Sequence, residues 1–527
     1  MLTSVRQLDG KELAAEVAVV GAGAVGLSLA VALARAGRNV ILLEAGGEAA
    51  AGEPVPMFDT ATACGYPLDG LYAGRARALG GTTNLWAGQL ATLEPIVLER
   101  RSWVAEASWP ISAAELDPAY DRAFAILGFA HRLCDAEVAK RLAIDWPVDA
   151  PDLEFFFTRW APEVNFARLF RDDIHGNGRL RVLVDAPAVG LSLADGQGVV
   201  QALAVRLPNA DDLVVRASSF VLANGTIEIA RLLSMPLSDG SPAPWGANPW
   251  LGRGFMDHID AYAGEVTLID AGRFHALFDS GFVGRLKYKP KFRLSQQTQK
   301  RDRLVSAIAD FVFASAHGDE LRVLKSFARD VLKGRIDRNL IRAVAEKPQQ
   351  MANLIRLAIP MTARYVRHRR TYNPGDRGIY LRLSTEQMPL SQSRLRLLPE
   401  TDAAGVPAVE VEWAINGEEV RAMAALSEAV ASFLKDNGLA RVALNEALKA
   451  RSRDFLSTID DANHQMGMAR MAETMGEGVV DRDLKVFGTS NLYVAGAAAF
   501  PTAGAANPTL TAIALGLRLA AKLAGGL

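Results

Sequence analysis

The sequence predicts an α/β fold of two domains, and three observations support this fold class. A short apolar strand, a glycine-rich turn, an apolar helix and a second strand follow one another over residues 16–43. Two more apolar segments that end in glycine occur at residues 220–225 and 491–496. The chain has 527 residues, which is more than one hydrophobic core normally organises.

The first of these segments has the spacing of a dinucleotide-binding unit. Residues 16–20 are predicted to form a buried strand that leads into Gly21-Ala-Gly23-Ala-Val-Gly26. Glu44 follows the second strand, 23 positions after Gly21, where an acid can bind a ribose. Gly21 permits the tight turn, Gly23 lets a pyrophosphate approach the backbone, and Gly26 lets the helix pack against the strand. The unit therefore predicts a Rossmann-like domain that binds an adenine dinucleotide.

Composition and charge exclude several classes of protein. A net charge of -1 and a hydrophobic content of 50% describe an ordinary globular chain and not a nucleic-acid binder. Cys64 and Cys134 are too few for an iron–sulfur cluster, so we expect electrons to be carried by an organic cofactor, with no metal. Because two isolated cysteines need no disulfide, we expect a cytoplasmic protein, or at most one attached peripherally to a membrane. The apolar stretch 14–36 contains the glycine motif, which favours a buried unit over a signal peptide or a membrane span.

Further elements are predicted from periodicity and caps. Ser112 is the expected cap of a helix that begins at Ala113, inside a helical stretch over 102–128. Residues 74–89 contain Gly80-Gly81-Thr-Thr-Asn84, which suits a loop whose backbone approaches a phosphate or a ring system, although a plain turn has the same composition. Other strands are predicted at residues 180–184, 199–205, 220–225 and 410–413, and other helices at 226–234 and 418–437.

Residues 321–370 form an unusually basic segment. It contains thirteen Lys or Arg against three acids, a balance of +10, and its apolar residues recur at roughly helical spacing with Pro348 and Pro360 as expected breaks. One interpretation is a solvated amphipathic insertion that packs on the substrate domain. The other is a basic surface for an anionic membrane or a polysaccharide.

The carboxyl-terminal part holds the candidate catalytic pair. His464 lies in Asn-His-Gln-Met-Gly, and Asn507 begins Asn-Pro-Thr-Leu 43 positions later. An imidazole that is largely neutral near pH 7 can act as a base, so the two side chains look like a base and its partner. A short buried strand is predicted over 491–496. Asn507 and Pro508 are predicted to be the N-cap and first residue of the last helix, whose positive end would point at the site.

Six motifs in this order resemble the glucose-methanol-choline (GMC) oxidoreductases. The resemblance extends from about residue 16 to residue 519 and is poorest over 268–377. Within the family the chain looks most like sugar-oxidising members such as pyranose oxidase, the C-glycoside 3-oxidases and the flavin subunits of fructose and gluconate dehydrogenases. The motifs are Gly21-x-Gly23-x-x-Gly26, Gly80-Gly81-Thr-Thr-Asn-Leu-Trp86, Val221-Leu-Ala-Asn-Gly225 with Ala230-Arg-Leu-Leu233, Gly252-Arg-Gly-Phe-Met-Asp-His258, Glu386-Gln387 through Arg394, and His464-x-x-Gly467 with Asn507-Pro-Thr-Leu-Thr511.

The resemblance implies a domain organisation. A discontinuous FAD-binding domain would comprise residues 1–100, 180–262 and 455–527. A substrate-binding domain, with a mixed sheet covered by helices, would comprise residues 101–179 and 263–454 and include the basic insertion at about 321–370.

The resemblance also implies a cofactor and site residues. FAD would be bound, with His464 as the catalytic base and Asn507 as a donor to the same substrate oxygen; capping of the helix is the alternative role for Asn507. Covalently flavinylated relatives carry a histidine where this chain has Leu85, so we expect non-covalent FAD. His258 is expected to be structural. The residues expected to contact FAD are Gly21, Gly23, Ala24, Val25, Gly26, Glu44, Arg75, Gly80, Gly81, Thr82, Thr83, Asn84, Leu85, Val189, Ala223, Gly225, Gly496, Ala497, Asn507, Pro508 and Thr509.

The expected reaction is the oxidation of an alcohol, with hydride transfer to flavin N5 and proton transfer to His464. The expected substrate is a secondary hydroxyl of a sugar or glycoside, and a primary or aryl alcohol is the alternative. Oxygen, a quinone or an external carrier would accept the electrons. Three other readings stay open: a lyase of the same fold, a flavin-holding partner of a polysaccharide or membrane complex, and a nicotinamide-dependent dehydrogenase.

Overall fold

The computed structural model describes the whole chain except residues 9, 49–60, 105–106, 147–149, 195–197, 208–210, 319, 322–323, 325–347 and 526–527. In the described residues the helices are α1 (Ala24–Arg35), α2 (Gly70–Ala73), α3 (Pro95–Leu98), α4 (Ala113–Ile126), α5 (Asp135–Arg141), α6 (Phe166–Leu169), α7 (Arg171–Gly176), α8 (Thr226–Ser234), α9 (Ala271–Phe278), α10 (Gln296–Asp302), α11 (Pro348–His368), α12 (Glu418–Asp436), α13 (Glu446–Lys449) and α14 (Thr509–Leu523).

The strands form three sheets. The first has the order β1 (Leu2–Ser4), β7 (Leu180–Val184), β3 (Val40–Leu43), β2 (Glu12–Val20), β10 (Asp212–Leu222), β9 (Val200–Arg206) and β8 (Ala188–Leu193), with β20 (Leu492–Val494) also paired to β10. The second has the order β18 (Ala440–Leu444), β11 (Ile259–Leu268), β15 (Gly378–Thr385), β14 (Ala307–Ala314), β13 (Leu286–Leu294), β6 (Leu153–Trp160) and β5 (Gln89–Leu90), with β12 (Gly281–Val283) on β13 and β19 (Asp460–Asp461) on β11. The third has the order β16 (Arg394–Thr401), β17 (Pro407–Trp413) and β4 (Ala61–Gly65).

The parallel part of the first sheet brings four strand ends to one edge. The last residue of β2, Val20, is in register with Leu43 of β3 and with Leu222 of β10, and Leu222 is in register with Val494 of β20. The chain leaves all four strands at this edge, and the carboxyl edge of an open parallel sheet is where such folds bind ligands. Segments far apart in sequence therefore meet there.

Helices cover this first sheet and close its core. Helix α1 packs against α14, and Gly516 of α14 allows the contact because a Cβ at that position would lie 3.0 Å from Cγ1 of Val25. Helix α4 packs on the other side of α14, where the hydroxyls of Tyr120 and Thr511 are 2.7 Å apart. A reciprocal capping box of Ser112 and Glu115 begins α4.

The second sheet is antiparallel and has one apolar and one polar face. Directly paired residues of antiparallel strands point to the same face, and successive residues alternate between faces. Phe292 of β13 pairs with Phe155 of β6, and both rings contact Phe433 of α12 in an aromatic core. Asp310 of β14 pairs with Arg382 of β15 on the opposite, polar face.

The predicted fold class is confirmed, and the local elements agree closely with the sequence. The strand at 180–184 and the helix at 226–234 have the predicted bounds, and Ser112 caps α4 as expected. The division into two domains stays a prediction.

Some local predictions were wrong. The helical stretch predicted from residue 102 begins at Ala113, and the last helix begins at Thr509 with Pro508, not Asn507, as its N-cap. Pro360 lies inside α11 rather than at a break, since a proline costs a helix one backbone hydrogen bond that the surrounding turns can offset.

The basic segment is described only in part. Residues 322–323 and 325–347, which carry eight of its thirteen Lys or Arg and all three of its acids, lie outside the described residues. The described helices include none that combines the length and the hydropathy needed to cross a membrane.

We expect a clear difference between two glycine substitutions in the same turn. A Cβ at Gly26 would lie 1.8 Å from the carbonyl oxygen of Gly21, whereas a Cβ at Gly23 meets no heavy atom within 4 Å. Gly26→Ala should lower the midpoint of thermal unfolding of the ligand-free protein by about 5 °C or more, because backbone must move. Gly23→Ala should leave it within about 1 °C. Circular dichroism melting curves measure both, and equal midpoints would contradict the packing described here.

Candidate active site

The glycine turn after β2 lies at the carboxyl edge of the first sheet with space in front of it. Gly21 has a φ of 95°, which favours glycine, and Gly26 packs against the carbonyl of Gly21. Gly23 is the N-cap of α1, where no side chain bonds the free N–H groups and nothing fills the space next to its Cα. The start of α1, including Ala24 and Val25, can therefore donate to a phosphate.

Glu44 stabilises this turn from the neighbouring strand. Its Oε2 accepts the backbone N–H of Ala22 at 3.0 Å and its Oε1 accepts that of Gly46 at 2.9 Å. Burial raises the pKa of Glu44 to about 7, against the effect of these hydrogen bonds. The carboxyl group reaches the same edge of the sheet as Gly23, and its contact with a ribose stays a prediction.

The loop after Leu79 lies against the glycine turn. The N–H of Gly80 donates to the carbonyl of Ala22 at 2.9 Å, and a Cβ on Gly81 would lie 2.8 Å from Cα of Gly23. Backbone of the two glycine-rich segments is therefore in contact. Within the loop, Thr83 and Asn84 bond to backbone or to Asn165, whereas Thr82 and Leu85 are exposed.

Three other residues expected to contact FAD lie on separate elements. Val189 sits at a β-bulge, because the register of β8 on β9 shifts between Ala188 and Gly190, and a bulge frees backbone for other partners. Gly225 ends the loop after β10 with open space beside it. Arg75 has 10% of its side chain exposed and pairs with Glu228 of α8 at 3.3 Å, and desolvation lowers its pKa to about 10.

The beginning of α14 forms the other end of the site. Gly496, after β20, has a φ of 137° and open space beside its Cα, and Ala497 follows it. Pro508 caps α14 without a side-chain hydrogen bond, so the N–H groups of the first turn remain available to a ligand. Asn507 does not cap the helix, because its side chain faces His464.

His464 is held between two side chains. Its Nε2 is 3.0 Å from Nδ2 of Asn507, and its Nδ1 is 2.9 Å from Nδ1 of His258. Since an amide nitrogen only donates, Nε2 of His464 is the acceptor, and the ring carries its proton on Nδ1, where His258 accepts it. This arrangement presents an unprotonated Nε2 beside an amide donor.

The electrostatics keep His464 neutral. The ring retains some open surface, yet burial lowers its pKa well below the usual range, and the nearby His258, Lys291 and Arg382 act in the same direction. Burial also lowers the pKa of His258. A neutral imidazole with an available lone pair is the form that can accept a proton.

Sequence reasoning missed two residues that place this pair. Oδ1 of Asp257 accepts three backbone N–H groups, from His258 at 2.7 Å, His464 at 2.8 Å and Ala462 at 3.2 Å. One carboxyl oxygen thus joins the two histidine-bearing segments. His258, expected to be structural only, lies within hydrogen-bond distance of His464. The quoted Met-Asp-His258 motif was the available signal, but nothing local shows which distant segment it contacts.

Glu386 and Gln387 stabilise the segment that contains Asp257. Oε1 of Gln387 accepts the backbone N–H of Asp257 at 2.9 Å and the indole N–H of Trp413 at 2.8 Å. Glu386 is buried with Arg101, whose guanidinium donates to both of its oxygens at 2.7 and 2.6 Å. Breaking such a buried pair leaves an uncompensated charge, so this contact resists rearrangement of the segment next to Asp257.

The residues present fit an adenine dinucleotide that carries a flavin. Gly23, Gly225 and Gly496 all have open space beside their Cα atoms, and the two helices that begin near the first and last of them have no side-chain cap. Open space thus lies beside the backbone at three points of this edge, and we call this edge the groove; Asn507, just before α14, contacts His464 at one end of it. No cluster of potential metal ligands occurs among the residues that the structure describes.

We predict that the neutral form of Asp257 is the one that supports the site. Burial and the nearby Asp461 raise its pKa well above the usual range. A raised folded-state pKa means that its stabilising effect is full below the unfolded pKa of about 4 and is lost as the pH rises. Asp257→Asn, which keeps the acceptor, should therefore gain stability relative to the wild type between pH 4 and pH 8.

Asp257→Ala is the matched variant without the acceptor, and it should be less stable than Asp257→Asn throughout this range by about 2 kcal/mol. Urea unfolding at several pH values measures these differences. An Asn variant whose relative stability falls with rising pH would show that the charged form is required.

Comparison with known proteins finds a family match in the carboxyl-terminal part of the chain and two curated relatives. Residues 389–516 match the family model described as GMC oxidoreductase. C-glycoside 3-oxidase from Arthrobacter globiformis is 33% identical over 124 residues, which cover 23% of this chain and 22% of that protein. Paromamine 6'-oxidase from Streptomyces fradiae is 30% identical over 139 residues, which cover 26% of this chain and 24% of that protein. The matched segments thus span about a quarter of these curated relatives.

The fold has solved counterparts over nearly the whole chain. The crystal structure of pyridoxine 4-oxidase from Mesorbium loti superposes with a TM-score of 0.61 at 15% identity, covering 96% of this chain and 99% of that one. The carboxyl-terminal part of the chain is therefore similar to the GMC oxidoreductases, and the fold of nearly the whole chain is similar to that of pyridoxine 4-oxidase.

Proposed function

We propose that the protein oxidises an alcohol with non-covalently bound FAD and that His464 is the catalytic base. The observation that carries this proposal is the contact of His464 Nε2 with the Asn507 amide at 3.0 Å, at the end of the groove lined by open glycines. A hydroxyl oxygen placed between these two side chains would meet one acceptor and one donor.

FAD, when bound, supplies the hydride acceptor for the substrate C–H bond. The protein's own side chains would accept the hydroxyl proton and hold the substrate oxygen. His464 accepts the hydroxyl proton at Nε2, and Asn507 donates a hydrogen bond to the oxygen as negative charge develops on it. His258 holds the Nδ1 proton of His464, which fixes the tautomer that leaves Nε2 free. The uncapped start of α14 adds N–H dipoles at the same end of the groove.

We also propose the FAD contacts that the resemblance to the GMC oxidoreductases implies. Gly21 to Gly26 and the start of α1 would hold the pyrophosphate, Glu44 the ribose, and Val189 the adenine through backbone. Gly80 to Leu85 would run along the pyrophosphate and the ring system. Ala223 and Gly225 would line the groove between them, and Gly496, Ala497 and the Asn507–Thr509 turn would meet the ring edge. Arg75 supports this groove through its pair with Glu228.

The proposed substrate is a secondary hydroxyl of a sugar or glycoside. By their names, C-glycoside 3-oxidase acts on a C-glycoside and paromamine 6'-oxidase acts on paromamine, and the first of these supports this class. A primary or aryl alcohol is the alternative, and pyridoxine 4-oxidase and a fungal aryl-alcohol oxidase share the fold. We propose oxygen, a quinone or an external carrier as the electron acceptor, and a cytoplasmic location.

Replacement of His464 tests the mechanism. His464→Ala should lower the rate of flavin reduction by about a hundredfold or more, because the general base is lost, while FAD remains bound. Anaerobic rapid mixing with a panel of sugars, glycosides and aryl alcohols, followed at the oxidised flavin band, measures the rate. His175→Ala, on the exposed face of α7, is the matched control and should reduce at the wild-type rate. Wild-type reduction by His464→Ala would remove the assignment.

Acid precipitation tests the mode of FAD attachment. Leu85 is an aliphatic, 38% exposed side chain and cannot form a bond to flavin. We expect trichloroacetic acid to leave all flavin absorbance in the supernatant and a colourless protein pellet. A yellow pellet that survives washing would show a covalent bond at another residue.

A further inference from the structure

The polar face of the second sheet carries a group of three cations around one carboxylate. We name Lys289, Lys291, Arg382 and Asp310 the cation cluster. They come from three adjacent strands, β13, β14 and β15, and Asp310 and Arg382 are directly paired in the sheet. The cluster is therefore built by strand pairing, not by a flexible loop.

Asp310 cannot neutralise the cluster. Its Oδ2 lies 2.9 Å from Nζ of Lys289, 3.2 Å from Nζ of Lys291 and 2.9 Å from the Arg382 guanidinium. Burial acts to raise the pKa of Asp310, yet the three cations hold it well below the usual range. The single carboxylate of Asp310 is thus the ion-pair partner of three cations, and the ammonium groups of Lys289 and Lys291 contact the same carboxylate oxygen.

Asp260 is the other acid beside the cluster. It lies on β11 in register with Ser384 of β15, and its charge acts on Arg382. Three cations and two carboxylates leave a formal charge of 3 − 2 = +1. Lys291 is only 5% exposed, and a net charge held in such a place is costly without a counter-charge.

The cation cluster lies on the face of the second sheet that carries Asp260, because Asp260 and Tyr262 of β11 point to one face and Tyr262 pairs with Arg382. The charges of Lys291 and Arg382 both act on the ring of His464. Asp260 is two residues from His258, whose ring contacts His464 at 2.9 Å. Arg382 keeps about a third of its side chain accessible, so its guanidinium is open to a ligand.

We infer that the site takes an alcohol that also carries a carboxylate, held by the cation cluster while its hydroxyl lies between His464 and Asn507. This inference rests on the proposed alcohol oxidation and adds its substrate class. The net charge of +1 matches a monoanion such as a sugar acid or a carboxylated aryl alcohol, whereas a phosphate monoester would bring close to two negative charges. Guanidinium and ammonium groups bind carboxylates through charge-assisted hydrogen bonds.

A bound carboxylate also changes the base. The positive charges of Lys291 and Arg382 hold the pKa of His464 down, and an anion that neutralises them removes part of this effect. His464 then becomes a stronger base only when the correct substrate is present. The same contact would position the hydroxyl relative to Nε2, which ties binding to reactivity.

Matched pairs of alcohols test the inference on the wild-type holoenzyme. One pair is benzyl alcohol with 4-(hydroxymethyl)benzoate, and the other is methyl β-glucoside with methyl β-glucuronide. We expect kcat/KM for flavin reduction to favour the carboxylated member of at least one pair by about tenfold or more, as expected for a charge-assisted hydrogen bond. In parallel, benzoate, which cannot be oxidised, is titrated into the oxidised holoenzyme and its Kd is read from the flavin absorbance.

Charge-removing variants identify the residues. Lys291→Gln and Arg382→Gln should each weaken benzoate binding and the preference for the carboxylated alcohol by about tenfold. Lys289→Gln is a second variant on the more accessible lysine, in case the buried Lys291 is needed for folding. Lys300→Gln, an exposed lysine paired with Glu99, removes the same charge away from the site and should change neither quantity.

The outcomes separate the inference from the proposed function. Neutral alcohols that reduce the flavin as well as carboxylated ones, with benzoate binding unaffected by the cluster variants, would overturn the inference and leave alcohol oxidation intact. Benzoate binding that depends on Lys291 and Arg382, without reduction by any alcohol, would support the anion site and overturn the proposed oxidation.

Discussion

One buried oxygen, Oδ1 of Asp257, determines where the candidate base lies. It accepts the backbone N–H groups of His258 and His464, which are more than two hundred residues apart in the chain. It acts together with two other backbone contacts between the same segments, the pairing of β19 with β11 and the mutual hydrogen bonds of Met256 and Met466. Asp257 is in turn held in place by Gln387, whose side-chain oxygen accepts the backbone N–H of Asp257. The geometry at His464 therefore depends on backbone contacts more than on the histidines themselves.

The same principle organises the groove. The ends of β2, β3, β10 and β20 are in register, so the glycine turn, Glu44, the loop before α8 and the loop after β20 open on one edge of one sheet. Each segment contributes backbone N–H groups or empty space rather than large side chains. The chemistry-bearing side chains come from the second sheet and from the carboxyl-terminal loops. In the proposed function, the cofactor therefore binds at the edge of the first sheet and the substrate at the second sheet. The two surfaces meet at His464.

The sequence predicts those parts of this arrangement that depend on local patterns. The glycine turn, the Ser112 cap and helix α8 follow from residue types at fixed short spacing, and all occur where expected. The role of Asn507 could not be settled locally, because Asn before Pro is equally suited to a cap, and only the position of His464 decides it. The cation cluster could not be predicted from the sequence either, because its members lie between residues 289 and 382 and only strand pairing brings them together. The alternating lysines of β13 were a usable sign that one face of that strand is polar.

The electrostatic design of the site follows from these positions. A buried imidazole beside two cations is a poor base for a neutral substrate, because the charges that keep it unprotonated also oppose the positive charge it gains on accepting a proton. Burial is the largest of the effects that lower the pKa of His464, and the cations add to it. Their position beside Asp310 and Asp260, which leaves a formal charge of +1, has a physical reason if an anion completes the site. The anion would neutralise the positive charge that otherwise makes protonation of His464 unfavourable. Binding of the substrate carboxylate would therefore also favour proton transfer to His464.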